Sequence, residues 1–240
     1  MKNKDRNVFC IILAGGTGSR VGMDIPKQYV MVNNQPIIKY SYDTILENDK
    51  IDGIVIVLDE AWKDYVCENL DVDKKKFLGF ANAGFSRQES ILNGMNHIKN
   101  VINSENDVVL IHDAARPNIT DDLIHKCVEF TDCDGVMPAL ESYSAMYYSE
   151  DGLTITSLLK RENVFSGQAP ESFLFKKYYN CFCNMTSLQL AEIKGTSEIA
   201  FKSGLKVKLV KGDEHNYKIT TLNDLKLFQK EKEVAKDESV

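Results

Sequence analysis

The sequence predicts one α/β domain: a mostly parallel, Rossmann-like sheet with helices on both faces. Two patterns support this prediction. Short apolar runs rich in β-branched residues recur along the chain, and segments with helical spacing of apolar residues lie between them. The length of 240 residues, of which 43% are hydrophobic and 27% charged, suits a globular domain with a full core. We therefore expect residues 1–240 to form a single domain.

The six apolar runs are typical of buried strands, because they are short and rich in β-branched residues. They are "VFCIILA" (8–14), "IDGIVIVL" (51–58), "FLGFA" (77–81), "DVVLIH" (107–112), "DGVMPAL" (134–140) and "LKVKLV" (205–210). The helical segments carry start signals as well. These are a capping box at Ser86–Glu89, Thr120 before "DDLIHKC", and a similar pair at Thr221 and Asp224.

Two segments stand outside this alternation. Residues 141–161 alternate around a Glu-Asp-Gly turn, which predicts a hairpin outside the main sheet, and such an arm often serves a partner. Residues 230–240 are charged and have no apolar face, so we expect this tail to fray.

Composition excludes several classes of function. The net charge of −6 argues against nucleic acid or an anionic membrane as a partner. No apolar run approaches the ~18 residues of a membrane span, and the N-terminal run at 8–14 suits a first strand better than a signal peptide. The six cysteines and four histidines show no metal-ligand spacing. We expect a cytoplasmic protein with free thiols and no structural metal.

The glycine-rich stretch "LAGGTGSRVGMDIPKQY" (13–29) follows the first predicted strand. It is no P-loop, because it ends in Ser19-Arg20 rather than in Lys followed by Ser or Thr. It is no dinucleotide fingerprint either, since Val21 replaces the third glycine and no ribose carboxylate follows, which disfavours an NAD(P)-dependent oxidoreductase. Backbone N–H groups of such a loop can still surround a phosphate, with Arg20 and Lys27 adding positive charge.

Two further elements belong at the same rim, beyond the carboxyl ends of the strands. "HDAAR" (112–116) places Asp113 and Arg116 after a later strand, and the capped helix of "AGFSRQES" projects Arg87 and Ser90. Each feature alone is compatible with a tight turn, a helix cap or a solvated surface charge. Their convergence on one rim favours a phosphate site.

The joint spacing of these motifs resembles the cytidylyltransferases that make CDP-alditols, the family of 2-C-methyl-D-erythritol 4-phosphate and ribitol-5-phosphate cytidylyltransferases. The resemblance spans about residues 8 to 228. It rests on "LAGGTGSRVG", "PKQY", "AGFSRQESILNG", "VLIHDAARP", "SGQAPESF", "GTSEIA" and "HNYKITTLNDLK". It implies a fold like that of nucleotide-diphospho-sugar transferases, CTP as a substrate, and a homodimer joined by the arm.

The resemblance also implies a role for each site residue. The triphosphate of CTP would lie on Ala14, Gly15, Gly16, Thr17 and Gly18, with Arg20 and Lys27 as catalytic cations; the cytidine side would meet Gly84, Arg87 and Ser90. The acceptor would meet Asp113, Arg116, Thr196 and the third catalytic cation, Lys218, and the neighbour's arm would supply Ser142 and Arg161. Asp113 is also the candidate ligand of Mg²⁺.

The implied reaction suits this inventory of residues. An acceptor phosphate with a second pKa of ~6 is mostly dianionic at pH 7, so it can attack the α-phosphorus of CTP without a general base. The obstacle is repulsion between two anions, which fixed cations and Mg²⁺ reduce. A protein that keeps this fold and binds nucleotide without catalysis is the remaining alternative.

The acceptor region departs from the usual family pattern. Glu141-Ser142 replaces Asp-Thr, and Ala169-Pro170-Glu171 replaces Thr-Pro-Gln. The hydroxyl lost at Ala169 and the motif around Lys218 favour ribitol 5-phosphate, for wall (teichoic acid) or capsule polymers. "HDAARP" favours the alternative, 2-C-methyl-D-erythritol 4-phosphate of isoprenoid precursor synthesis. From the sequence we predict CDP-ribitol and pyrophosphate as the products.

Overall fold

The computed structural model describes residues 6–16, 25–183 and 185–237. In these ranges the strands are β1 (Val8–Leu13), β2 (Met31–Val32), β3 (Gln35–Pro36), β4 (Gly53–Leu58), β5 (Phe77–Asn82), β6 (Val108–Asp113), β7 (Gly135–Glu141), β8 (Met146–Tyr148), β9 (Ser157–Leu159), β10 (Phe165–Gly167), β11 (Glu171–Leu174) and β12 (Val207–Lys211). The α-helices are α1 (Ile37–Glu47), α2 (Lys63–Asn69), α3 (Arg87–Ile98), α4 (Asp121–Val128), α5 (Phe175–Phe182), α6 (Ser187–Glu192), α7 (Thr196–Lys202) and α8 (Leu222–Asp237). All six predicted strands are present.

The main sheet is mostly parallel, as the sequence predicts. Its order is β10-β7-β11-β6-β1-β4-β5, with β12 paired to β7. Strands β1, β4, β5 and β6 run parallel, and β12 is parallel to β7. The antiparallel strand β11 joins β6 to β7, and it was not predicted. The carboxyl ends of β1, β6 and β7 therefore lie along one rim.

Helices cover both faces of this sheet. Alternate residues of β1 divide between two cores: Cys10 and Ile12 pack with α1, α2 and α4, whereas Phe9 and Ile11 pack with α3, α5, α6 and α7. Strands β1, β4 and β6 are buried on both faces, which explains their continuous apolar runs. Strand β12 was expected to be buried as well, but most of its residues are exposed because it pairs only with β7 and lies off the main strand order.

The predicted helix starts are formed by side-chain caps. Ser86 accepts a hydrogen bond from Glu89 N at the start of α3, and Thr120 does the same for α4. At the start of α8, the side chains of Thr221 and Asp224 each accept a hydrogen bond from the other residue's backbone N–H. These caps fix where the first turns of α3 and α8 point, and both helices adjoin the rim.

The predicted hairpin arm lies outside the main sheet. Strands β8 and β9 pair antiparallel in a separate two-stranded sheet. Asp151 shapes the connecting turn by accepting bonds from the backbone N–H groups of Leu153 and Thr154. Several large apolar side chains of the arm are exposed, among them Tyr147, Leu153 and Leu158.

Of the tail for which fraying is predicted, residues 230–237 are helical, and residues 238–240 lie outside the described residues. Helix α8 continues through Asp237, and Glu231 accepts hydrogen bonds from Tyr217 and Asn118. Lys232 lies over the rings of Tyr40 and Phe228. Polar contacts of Glu231 and the half-buried side chain of Lys232 thus hold this part of α8, which has no apolar face of its own. Within the described residues, no helix is both long enough and apolar enough to span a membrane.

Candidate active site

The first residues of the glycine loop, 14–16, leave β1 in a conformation fixed by the "PKQY" segment. The Ala14 carbonyl accepts bonds from Gln28 Nε2 (2.5 Å) and Tyr29 Oη (3.0 Å), and Gln28 Nε2 also bonds the Gly16 carbonyl (2.8 Å). Gly15 has no room for a side chain, because an added Cβ would lie 2.4 Å from the Cβ of Ala83. The anchoring role of Gln28 was not predicted, although its motif was. The predicted site residues Thr17, Gly18 and Arg20 lie outside the described residues.

The start of α3 forms the second wall of the site. Gly84 N donates to Ser90 Oγ (3.0 Å), and Ser90 Oγ donates to Ser86 O (3.0 Å). Glu89 accepts a bond from Phe85 N (2.8 Å), and a Cβ on Gly84 would collide with the Glu89 side chain. These contacts fold residues 84–90 tightly and bring Gly84 and Ser90 together, so that both residues belong to the same wall of the site.

Asp113 is the centre of a cluster of charged side chains at the end of β6. Its Oδ1 accepts from Arg87 Nη2 (3.0 Å), its Oδ2 accepts from Lys218 Nζ (2.8 Å), and Arg116 Nε lies 3.9 Å away. Burial would raise the pKa of Asp113, but the cations outweigh burial and hold it well below its usual range. The carboxylate is therefore ionised, with three cations around it.

Arg87 connects helix α3 to the charged cluster. Its guanidinium donates hydrogen bonds to Asp113 and to Thr196 Oγ1, and it lines the same cavity as Gly84 and Ser90, so its contact with cytidine stays a prediction. Burial opposes the charged form, yet attraction to Asp113 raises the pKa of Arg87 above its ordinary value. Helix α3 thus links two parts of the site, since Ser90 bonds the turn at Gly84 and Arg87 bonds Asp113 at the end of β6.

Arg116 serves mainly to hold the backbone. Its side-chain Nη1 donates a hydrogen bond to Asn216 O (2.6 Å), and its backbone N–H donates one to Asp113 O (2.9 Å). His112 is fully buried, with Nε2 3.0 Å from Arg116 O, and burial lowers the pKa of His112 to about 4. The ring is therefore neutral at pH 7, and its hydrogen bond supports the turn that carries both Asp113 and Arg116.

Thr196 is 1% exposed and is held from several sides. Its hydroxyl accepts from Arg87, and its carbonyl accepts from Tyr178 Oη (3.0 Å). The adjacent Ser197 donates both its N–H and its hydroxyl to Glu171, a buried carboxylate whose pKa is raised by burial. Glu171, one of the departures from the family pattern, thus fixes the start of α7 behind the cluster.

The arm residues Ser142 and Arg161 are separate from this cluster. Ser142 Oγ donates to Ser144 O (3.1 Å), and Arg161 is exposed in a short 3₁₀ turn. Neither residue lines the cavity beside Asp113. The single chain therefore does not bring these two residues to the other predicted site residues.

The cavity between these elements has a volume of about 450 Å³, within the usual range for small-molecule sites. It is lined by Leu13, Gly15, Gly16, Lys27, Gln28, Gly84, Phe85, Ser86, Arg87, Ser90, Asp113, Ala115 and Lys218. Lys27 is 8% exposed and follows Pro26 in a 3₁₀ turn. A larger cavity of about 780 Å³ lies near the base of the arm, but the cation cluster does not line it. The smaller cavity is the candidate site because it joins the glycine loop to the cluster.

Asp113 does not suit the predicted role of a metal ligand. Both of its carboxylate oxygens already accept hydrogen bonds from cations. Among the described residues, no group of three or more His, Cys, Asp or Glu side chains could hold a metal ion. A divalent ion that entered with a nucleotide would depend on phosphate oxygens and water, which Mg²⁺ commonly uses.

Comparisons with known proteins agree with this geometry. The family model described as "IspD: 2-C-methyl-D-erythritol 4-phosphate cytidylyltransferase" matches residues 8–230. The solved 2-C-methyl-D-erythritol 4-phosphate cytidylyltransferase (IspD) of Francisella tularensis is similar at 25% identity and a TM-score of 0.76, over 93% of this chain and 99% of that chain. The 4-diphosphocytidyl-2C-methyl-D-erythritol synthase of Anaerococcus prevotii has 22% identity and a TM-score of 0.77, over 94% and 95% of the two chains.

Proposed function

Because the chain belongs to the 2-C-methyl-D-erythritol 4-phosphate cytidylyltransferase family, whose members are CTP-dependent nucleotidyltransferases, we propose that it transfers CMP from CTP to 2-C-methyl-D-erythritol 4-phosphate. The observation that carries this proposal is the cluster of Arg87, Lys218 and Arg116 around Asp113, beside the cavity under the glycine loop. A site with more positive than negative charge suits two phosphorylated substrates.

In the proposed reaction, an oxygen of the acceptor phosphate attacks the α-phosphorus of CTP. A new P–O bond forms, the bond to the β-phosphate oxygen breaks, and pyrophosphate leaves with the electron pair. Lys27 on the glycine-loop side and Lys218 on the acceptor side would stabilise the added charge on the phosphorus oxygens. Asp113 would hold Arg87 and Lys218 in place before the substrates bind.

No general base is needed, and the cluster offers none. His112 is neutral but fully buried, and its Nε2 is engaged by the Arg116 carbonyl. Asp113 is a weak base because its pKa lies far below 7. A phosphate dianion as the nucleophile avoids both difficulties, since it carries no proton to remove.

The sequence motifs alone favoured ribitol 5-phosphate as acceptor, whereas the family match supports 2-C-methyl-D-erythritol 4-phosphate better. We therefore place the methylerythritol acceptor first. Ribitol 5-phosphate stays the second candidate because Ala169 and Glu171 depart from the family pattern in the acceptor region.

We also propose a homodimer in which the arm completes the neighbour's site. Two observations support this. The arm exposes large apolar side chains, and its residues Ser142 and Arg161 lie away from the cavity of their own chain. Contact with a second copy would cover the apolar residues and would supply a cation to the acceptor side.

The deciding experiment measures pyrophosphate release by the purified chain with CTP, Mg²⁺ and each acceptor separately. Mg²⁺ is included because members of the family generally use a divalent metal with CTP. We expect kcat/KM to favour the methylerythritol acceptor by more than ~10-fold, because a pocket shaped for one acceptor separates it by ~1–3 kcal/mol from another that differs by a carbinol unit and a branching methyl group. A preference for ribitol 5-phosphate would reverse the order of acceptors. CTP binding without turnover on either acceptor would favour a non-catalytic nucleotide-binding protein.

A further inference from the structure

Lys218 lies on a segment that has no regular structure of its own. Residues 212–221, between β12 and α8, are neither helix nor strand. Backbone hydrogen bonds tie it to neighbouring elements near its two ends, from Gly212 N to Ala139 O (2.9 Å) and from Ile219 N to Ala115 O (2.8 Å), and its buried polar groups between these points need side-chain partners. Those partners decide where the ammonium group of Lys218 lies.

Gln168 binds the start of the segment with both ends of its amide. Its Oε1 accepts from Asp213 N (3.0 Å), and its Nε2 donates to Asp213 O (2.8 Å) and, at longer range, to Asn216 O (3.4 Å). Gln168 is 5% exposed, and its own N–H is tied to Pro138 O (2.7 Å) on β7. Gly212 permits this contact, because an added Cβ would lie 2.5 Å from Gln168 Oε1.

Asn216 binds the middle of the segment to the same place. It is fully buried, and its Nδ2 donates to Ala169 O (2.7 Å), the residue after Gln168. Its carbonyl accepts from Arg116 Nη1 (2.6 Å). On the other side of Lys218, Ile219 N donates to Ala115 O (2.8 Å). The backbone is therefore held on both sides of Lys218, and Nζ reaches Asp113 at 2.8 Å.

We propose that Gln168 and Asn216 are positioning residues that hold Lys218 in its active place. The inference rests on the proposed function, in which Lys218 acts on the phosphoryl group in transit. Fixed cations stabilise a transition state well because they need no reorganisation during the reaction. A displacement of about 1 Å at such a group can cost ~10²-fold in rate. Two amides would thus control catalysis without contacting either substrate.

The first test uses Gln168→Leu, which keeps the side-chain volume but removes every hydrogen bond to the segment, and Asn216→Ala. We expect kcat to fall roughly tenfold or more, with the KM for CTP nearly unchanged, because the glycine-loop wall is untouched. In a Lys218→Ala background, Gln168→Leu should cause no further loss, since the residue acts through the lysine. Retention of wild-type kcat, or a double variant that loses the product of both single effects, would overturn the proposal.

The second test does not depend on turnover. Reductive methylation of the whole protein, followed by peptide mass spectrometry, measures how readily Lys218 reacts. We expect Lys218 to be modified several-fold faster in Gln168→Leu and in Asn216→Ala than in the wild type, because the amine leaves Asp113. Equal rates would overturn the proposal. If the wild type released no pyrophosphate with any acceptor, the proposed function would fail while this measurement still decided the positioning role.

A matched control separates positioning from general destabilisation. Asn48 is 3% exposed and follows α1; its side chain bonds Asp121 and Lys50 N, neither of which belongs to residues 212–221. Asn48→Leu should lower the melting temperature but leave both kcat and the modification rate of Lys218 unchanged. Should Asn48→Leu accelerate the modification of Lys218 as much as Gln168→Leu does, loss of stability alone would explain the effect and the proposal would be wrong.

Discussion

Replacing Asp113 by Asn removes the charge that holds the cation cluster together. The amide has nearly the same shape as the carboxylate, so packing is preserved. Arg87, Lys218 and Arg116 then lie around a neutral group, although the present structure places them within 3.0, 2.8 and 3.9 Å of a carboxylate oxygen. We expect the variant to be less stable and to be a poorer catalyst.

The magnitude follows from these contacts. At an effective dielectric constant of about 20, each of the two short contacts carries roughly 5 kcal/mol of Coulomb attraction. Desolvation of the carboxylate offsets much of it, and solvent screens the cations because the Lys218 and Arg87 side chains remain 32% and 28% exposed. Removing one partner of a buried pair costs about 3–5 kcal/mol, and the exposure of the cations favours the lower end, ~3 kcal/mol. For a chain of this size, that corresponds to a fall in Tm of roughly 6–12 °C.

The assay combines thermal unfolding, pyrophosphate release and binding of CTP. We expect kcat to fall at least ~10-fold because Lys218 and Arg87 lose their anchor. CTP should bind as well as before or more tightly, since one negative charge has gone. Asp122→Asn is the matched control: its ion pair with Lys126 is largely exposed, so its effect on stability should stay below ~1 kcal/mol. If Asp113→Asn were as stable and as active as Asp122→Asn, the reasoning about the cluster would be refuted.

Three further predictions concern other parts of the site. Lys27→Met and Arg20→Ala should each lower kcat by roughly 10²-fold in the pyrophosphate assay, because each removes a positive charge beside the triphosphate of CTP. Wild-type turnover in either variant would contradict the role assigned to that residue. Burial lowers the pKa of His112 in the folded state to about 4, so the stability that the neutral ring contributes is present above the unfolded value of ~6.5 and is lost as pH falls toward 4. In chemical unfolding, the wild type should lose up to ~3 kcal/mol over that interval relative to His112→Gln. Parallel pH profiles of the two proteins would contradict a buried neutral histidine. Mixing Arg161→Ala with Lys218→Ala chains should restore part of the activity, because one hybrid site regains both groups, and verified heterodimers without rescue would exclude a shared site.

The layered fold and the residues at the rim were predictable from local patterns in the amino-acid sequence. Strand patterns and helix caps depend on neighbouring residues, so the six predicted strands and the caps at Ser86 and Thr120 could be read directly. The glycine loop and Asp113 follow strands β1 and β6, which are parallel neighbours, so their meeting at one rim was also predictable.

The pairing of the buried polar groups was not predictable from the sequence, because it depends on contacts between distant residues. Arg87 turns toward Asp113 and Thr196, and Glu171 enters the sheet in the antiparallel strand β11; both depend on residues far away in the chain. The same is true of the amides of Gln168 and Asn216, which bind backbone groups of an irregular segment. Such partners leave no periodic signal, because a buried polar group accepts whichever donor the folded chain brings within about 3 Å.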